Sequence, residues 1–381
     1  MNTLRCGSYA LCLLIHVNLS AQWSATVLNP EGTNFSSANG VNAGYQAGYI
    51  TVEGANHAAI WTGTAGSVVD IHPTSGAILS YVNAVSSNQQ GGSINATTGP
   101  SVQASLWSGT AGSHVSLSPA GYDGWSIVRA MSETQQGGYV SYAASLGFQY
   151  AALWTGTAGS FVNLHPGDIY TTGSSVYAMS SSQQAGIGRV SGGWRRAVLW
   201  SGSAESVVYL HASGPTSLAE SGVYAMTDSA QGGFVNLTGG DSQNHAAIWF
   251  GDPDSRVDLH PTGATRSEIL AMAGGFQAGF VDNQAAVWTG SEASYLNLHS
   301  YVTSLLGSDF TQSSIKGAYL DAGTLNLVGS ASDPTHSLTY AMLWTMAIPE
   351  PSTYGLAIGL VTLGLVLWRK RHGPAAQGRG N

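Results

Sequence analysis

Eleven histidines and 20 acidic residues are the raw material for chemistry in this 381-residue chain, and five of the histidines recur at one place in a repeated phrase. His72, His165, His211, His260 and His299 each follow an Ile or Leu that stands ten positions after a tryptophan. Imidazoles invite a zinc reading, but a shared ion needs its ligands at roughly 2.0–2.1 Å. Equivalent positions in successive repeats lie a whole unit apart, so a histidine at a strand end, bonded to a neighbouring turn, is the expected role, and no metal is predicted. His57, His245 and His336, just before the tryptophan-bearing run, read the same way. Asp252-Pro253-Asp254 puts two carboxylates on one turn, which is too few oxygens for a calcium loop. No serine elbow, His-Glu-x-x-His, phosphate loop or recurring carboxylate pair is present. Catalysis would need an acid, base or nucleophile that one unit has and the others lack. The chain is therefore expected to be non-enzymatic, with no catalytic residue and no cofactor.

Aromatic residues could instead bind sugars by stacking. Trp61, Trp107, Trp154, Trp200, Trp249, Trp288 and Trp344 each end an apolar run such as Ala151-Ala152-Leu153. A tryptophan there is expected to pack between repeats, where burial contributes about 2–3 kcal/mol. Trp125 and Trp194 fall off the repeat, in loops, and are the candidate ligand contacts. Trp194-Arg195-Arg196 could form a small anion patch, although a solvated strand edge is the expected reading.

The elements that must position these residues come from a single repeating phrase. Ala151–Pro166, AALWTGTAGSFVNLHP, returns with edits around Trp61, Trp107, Trp200, Trp249 and Trp288. Trp344 has only the first half, and Trp23–Pro30 (WSATVLNP), at the other terminus, has only the second. Successive tryptophans are 46, 47, 46, 49, 39 and 56 residues apart. Turn residues cut each unit into four strand-length runs, for example 160–164, 175–179, 184–190 and 196–200. Four short strands in about 46 residues are one propeller blade, whereas a β-solenoid uses shorter coils. The expected fold is all-β, a seven-bladed propeller over residues 22–346. Ala25–Leu28 would complete the sheet begun by Trp344, so that no edge stays open. A short sixth unit and an insertion at 300–311 leave six or eight blades as alternatives. A second motif, Gln-Gly/Ala-Gly, recurs as Gln46, Gln90, Gln136, Gln184, Gln231 and Gln277, and its glycine suits backbone crowding, expected at the centre of the ring. An alanine stands six residues before the glutamine at Ala84, Ala130, Ala178, Ala225 and Ala271. The seventh copy, Leu327-Val328-Gly329, keeps only the glycine.

Composition supports this reading and excludes others. Glycine is high at 50 residues, and charged residues are 8% against about 25% in an average globular protein. A net charge of −8 leaves no basic footprint, so nucleic acid is not an expected partner. Both cysteines, Cys6 and Cys12, lie in the first 21 residues. That segment has Arg5, an apolar run and a small Ala21, the order of a secretory signal peptide cut after Ala21. The mature body would then carry no thiol.

The other terminus reads Pro349-Glu350-Pro351, then an apolar run over 354–368, then Arg369-Lys370-Arg371. The run makes roughly 22 Å of helix at 1.5 Å per residue, a short membrane span with its basic end in the cytoplasm. Over Pro349–Pro374 it resembles the PEP-CTERM sorting signal of Gram-negative bacteria. That resemblance implies processing at the tripeptide by an exosortase-type membrane protease. It also implies transit from the inner membrane to the cell surface or an extracellular matrix. The alanine, Gln-x-Gly, Ala-Ala-Leu-Trp and Val-x-Leu pattern over residues 35–345 resembles the HAF-type extracellular repeat, which implies secreted β-rich proteins and supplies no catalytic residue. The expectation is an exported binding or scaffold propeller. Its alternatives are a lectin for extracellular polysaccharide, or a polysaccharide hydrolase with carboxylates lining the channel.

Overall fold

A computed structural model of the chain describes residues 23–143, 148–167, 172–211, 218–237 and 243–348. Ala21, the tail residues Pro349, Glu350, Pro351, Arg369, Lys370 and Arg371, and the expected helix over 354–368 lie outside the described residues. No described helix is long and apolar enough to cross a membrane.

Trp23–Met346 form one unit of seven four-stranded antiparallel sheets, each paired in simple sequence order. In the third sheet, β10 (Ser126–Met131), β11 (Gln136–Ser141), β12 (Gln149–Trp154) and the two-residue β13 (Val162–Asn163) follow one another from the ring centre outwards. The other inner strands are β2 (Ser36–Asn42), β6 (Ala77–Val85), β14 (Gly173–Met179), β18 (Leu218–Met226), β22 (Ser267–Ala273) and β26 (Gln312–Asp321). The last sheet closes the ring: β26, β27 (Thr324–Asp333) and β28 (Leu338–Ala347) take β1 (Trp23–Val27) as their outer strand, with Ala25 opposite Trp344. The fold is thus the seven-bladed propeller with both termini in one blade. The expected insertion is an eight-residue helix, α1 (His299–Leu306).

All seven repeat tryptophans are fully buried, so none can be a sugar platform. Trp249, for example, packs against Ala185, Leu199 and Leu210 of the preceding blade as well as its own sheet. Their indole N–H groups have no acceptor among the described residues, a cost of about 1–3 kcal/mol each that the burial of the rings offsets.

The conserved-looking polar residues tie blades and turns together. The amide oxygen of Gln136 accepts the Gly156 N–H at 2.7 Å, and Gln46, Gln90, Gln184, Gln231 and Gln277 do the same for Gly63, Gly109, Gly202, Gly251 and Gly290. The seventh blade continues past Trp344 without such a turn, which explains why Leu327 can replace the glutamine. A serine six residues after the tryptophan in the first six units, such as Ser160, closes the same turn, Ser160 accepting the N–H of Thr155 at 2.8 Å. The recurrent histidines have a partner beyond the expected turn. His72, His165, His211, His260 and His299 bond through Nδ1, at 2.7–2.8 Å, to Ser80, Ser174, Ser221, Ser267 and Ser313 on the next blade's inner strand, and His260 also makes the turn bond, its Nε2 reaching the Ala264 carbonyl at 2.9 Å. Each serine also accepts a backbone N–H from the tryptophan strand, as Ser313 does from Ala285 at 2.9 Å. The pair is therefore an inter-blade tether.

The crowding that selects the motif glycine is also not at the ring centre. Every inner strand carries a bulge, at Asn39, Asn83, Arg129, Tyr177, Tyr224, Leu270 and Lys316. The bulge pushes a carbonyl of the inner strand against the second strand. A Cβ on Gly138 would stand 1.9 Å from the Ile127 oxygen, and Gly329 meets the Ser314 oxygen in the same way.

Candidate functional site

Simple up-and-down blades give the ring two unlike faces. The first-to-second and third-to-fourth connections leave one face as short, repeated turns. Second-to-third connections and the crossings between blades leave the other, and there the units differ: the loops bearing Trp125 and Trp194, α1, and residues 334–337 are all on it.

On this variable face, between the second and third blades, lies an open cleft of 1040 Å³ walled by Pro100, Gln103, Ser118, Tyr122, Asp123 and Tyr142. A pocket of 360 Å³ adjoins it and shares Asp123 and Tyr142, adding Ser101, Trp125, Tyr139 and Gln149. Tyr122 and Tyr142 stack with centroids 4.6 Å apart, and Tyr150 meets Tyr142 edge-on at 5.7 Å. Burial first, and the neighbouring Tyr142 second, push the Tyr122 phenol up to about 12, so it remains an O–H donor at neutral pH. Trp125 is 55% exposed yet held: its backbone N–H reaches Ser141 Oγ at 2.7 Å and its indole N–H reaches Ser101 Oγ at 3.0 Å. Asp123 Oδ1 accepts the Ala143 N–H at 2.8 Å, fixing the opposite wall. Preset aromatic faces beside amide, hydroxyl and carboxylate groups suit a polyhydroxylated ligand, whose C–H faces stack while its hydroxyls exchange hydrogen bonds.

Trp194, the other sequence-derived contact, is 51% exposed on the fourth blade and lines neither hollow. The structure thus brings Trp125, and not Trp194, to the pocket that adjoins the cleft. Tyr122 and Tyr142 were missed because each sits in a loop that no other repeat matches; an aromatic in such a loop was the available signal. Arg195 and Arg196 do not form an anion patch. Arg195 grips Glu220 through Nε and Nη2 at 3.0 and 2.6 Å and lies over the Phe234 ring, and Arg196 donates to the Ala219 carbonyl. Burial raises the Glu220 pKa, but the Arg195 hydrogen bonds outweigh it and hold the carboxyl below the usual range. Asp252 is a cap, accepting the N–H groups of Asp254 and Ser255. Asp309, Asp333 and His336 bring ligand-type atoms within 4.8 Å of one another, but both oxygens of buried Asp333 are bonded to its own turn, at Thr335 and His336.

The narrow part of the central channel is lined by the bulge residues and the two that follow each, including Ala84, Ala130, Ala178, Ala225 and Ala271. Arg129 and Lys316 are its charged groups, and no described lining residue is a carboxylate. The acid pair required by a channel-type hydrolase is not in this constriction.

No family model matches the chain, and no curated protein is similar to it. Among solved structures, TolB from Acinetobacter baumannii superposes with a TM-score of 0.41 at 8% identity, over 69% of this chain and 67% of that one. A prolyl endopeptidase gives 0.49 at 10% identity over 83% of this chain and 50% of the other, and a sialidase of Trypanosoma rangeli gives 0.36 at 8% over 85% and 55%. This chain therefore spans about half the length of the endopeptidase. The blade count rests on the strand pairing alone.

Proposed function

We propose that this protein is an exported binding or scaffold propeller of the cell surface or extracellular matrix, and that its ligand is an extracellular polysaccharide held without catalysis in the cleft between the second and third blades. The observation that carries the reading is the cleft itself. It lies on the face where the repeats diverge, with Tyr122 and Tyr142 in its walls and Trp125 fixed in the pocket that adjoins it. Export draws its support from the termini: an apolar leader ending at Ala21, and Pro349-Glu350-Pro351 followed by an apolar run and Arg369-Lys370-Arg371. That order suits an inner-membrane anchor through the C-terminal run, then release by an exosortase-type protease. A glycan array probed with the purified protein, with product analysis on every hit, tests both halves. Saturable binding that Trp125→Ala and Tyr142→Ala abolish is the expected result. Sugar release would overturn the non-catalytic part; binding indifferent to both substitutions would overturn the site.

A further inference from the structure

We propose, on the reading of the cleft as a polysaccharide site, that it takes a non-acidic chain and that its floor is Gln103, Ser116 and Ser118, a trio the second blade keeps free of rings where other blades stack them. The three positions recur in every blade: the residue four before each tryptophan, and the two that flank the later Ile or Leu. In the first blade they are His57, Asp70 and His72. The two imidazoles stack with centroids 4.0 Å apart, and His57 Nδ1 donates to Asp70 at 2.7 Å. The fifth blade sets His245 against His260 at 3.7 Å, and in the third Tyr150 meets His165 edge-on at 4.7 Å.

The second blade has the same backbone and the same tether without either ring. Ser118 Oγ meets Ser126 Oγ at 2.6 Å on the third blade's inner strand, and Ser126 accepts the Ala104 N–H at 2.9 Å, as the serines of the histidine tethers do. Gln103 is drawn towards the loop beside it, its Nε2 donating to the Thr98 and Pro100 carbonyls at 3.1 and 3.2 Å while its Oε1 accepts from Ser116 Oγ at 3.2 Å. The blades stay tied, and the space a ring would take is open: all three residues line the cleft. Two hydroxyls and a carboxamide, each already held in place, thus face the hollow beside the Tyr122 and Tyr142 rings.

Charge decides which chains fit. No described residue lining the cleft or its adjoining pocket is a lysine, arginine or histidine, and Asp123, which lines both, carries the charge of the site. Arg129 lies over the Tyr139 and Tyr177 rings and lines neither hollow. A uronate or sulfate group entering here would lose water without gaining a counter-charge and would face a carboxylate of its own sign. The net charge of −8 opposes the approach of a polyanion as well. Sugar hydroxyls meet neither penalty.

The test is an array carrying β-glucan, xylan, mannan, polygalacturonate and sulfated galactan, probed at pH 7.5 with a concentration series of the full-length chain and of Ser118→His. The parent should saturate on at least one of the three uncharged polymers and on neither acidic one. Ser118→His restores the ring and the serine tether of five other blades, so its urea midpoint should equal or exceed the parent's while its binding weakens about tenfold or more. Should that variant fold poorly, Ser118→Asn is read in the same way, because the seventh blade carries Asn29 at this place and keeps the tether, Ser36 Oγ donating to it at 2.6 Å. Parent-like binding by a folded variant overturns the floor, and preference for either acidic polymer overturns the charge argument. Silence of the parent on all five polymers would instead sink the polysaccharide reading itself, and the floor with it.

Discussion

Replacing Gly138 by alanine should unfold the third blade far more readily than the same change at Gly156, eighteen residues away. Gly138 is extended, and the added methyl would sit 1.9 Å from the Ile127 oxygen, 2.9 Å from its carbonyl carbon and 3.1 Å from the Val128 Cα. All three atoms are backbone, so no rotamer can yield; β10 and β11 must separate by more than about 1 Å, beyond what their hydrogen bonds tolerate. Overpacking costs about 1–3 kcal/mol and each lost ladder bond about 1 kcal/mol net, while the stiffer unfolded chain returns about 0.4–1 kcal/mol. The expected loss is about 3 kcal/mol. Gly156 has φ +85° and nothing within 4 Å of its absent Cβ, so its alanine suffers only left-handed strain of about 1–2 kcal/mol. Urea unfolding followed by tryptophan fluorescence compares the two. If Gly138→Ala loses no more stability than Gly156→Ala, the bulge does not select the glycine, and the explanation of the seven-fold motif fails.

Gln136→Leu should cost about 1–3 kcal/mol in the same assay, because the Gly156 N–H loses its acceptor; an unchanged urea midpoint would mean water replaces it. Ser313→Ala removes the acceptor of the Ala285 N–H and the partner of His299 together, and should lower stability by a similar about 1–3 kcal/mol, with a neutral effect counting against an inter-blade tether. Stability should also fall on acidification from pH 7.5 to 5.5. Burial holds His72 and His299 below the ordinary 6.5, so the unfolded chain binds protons that the folded one resists; the loss begins as pH drops through 6.5 and levels off below the folded values. Exposed His336, raised by Asp333, acts in the opposite sense. His299→Asn should flatten the decline, and an unaltered slope would sink that assignment. Trp125→Ala should leave stability within about 0.5 kcal/mol while removing glycan binding, whereas a parallel loss of both would make the ring structural.

What could be read from the chain and what could not divide along the two faces of the ring. The tryptophan phrase, its ten-residue step to Ile or Leu and the half-units at the termini pointed to seven blades and their closure, with six or eight left open until the strand pairing, because each repeats a backbone solution that every blade needs. Repetition also made the glutamine and glycine legible as positions, yet their reasons lay in pairings across strands. The oxygen that excludes a side chain at Gly138 belongs to Ile127, and no spacing along the chain announces a bulge. Likewise the histidine's partner, a serine seven to fourteen residues on, belongs to the next blade and hides behind loops of unequal length. Ligand chemistry must break the symmetry, so it resides where the repeat gives no guidance. Trp125 could be picked out as an aromatic off the pattern, but Trp194 satisfied the same criterion and lines neither the cleft nor its adjoining pocket. The bulge positions show the limit most clearly. Their backbone is among the most repetitive in the molecule, and their side chains run Asn, Asn, Arg, Tyr, Tyr, Leu, Lys. A consensus discards such a column as noise, whereas the closed ring gathers its seven members around one opening.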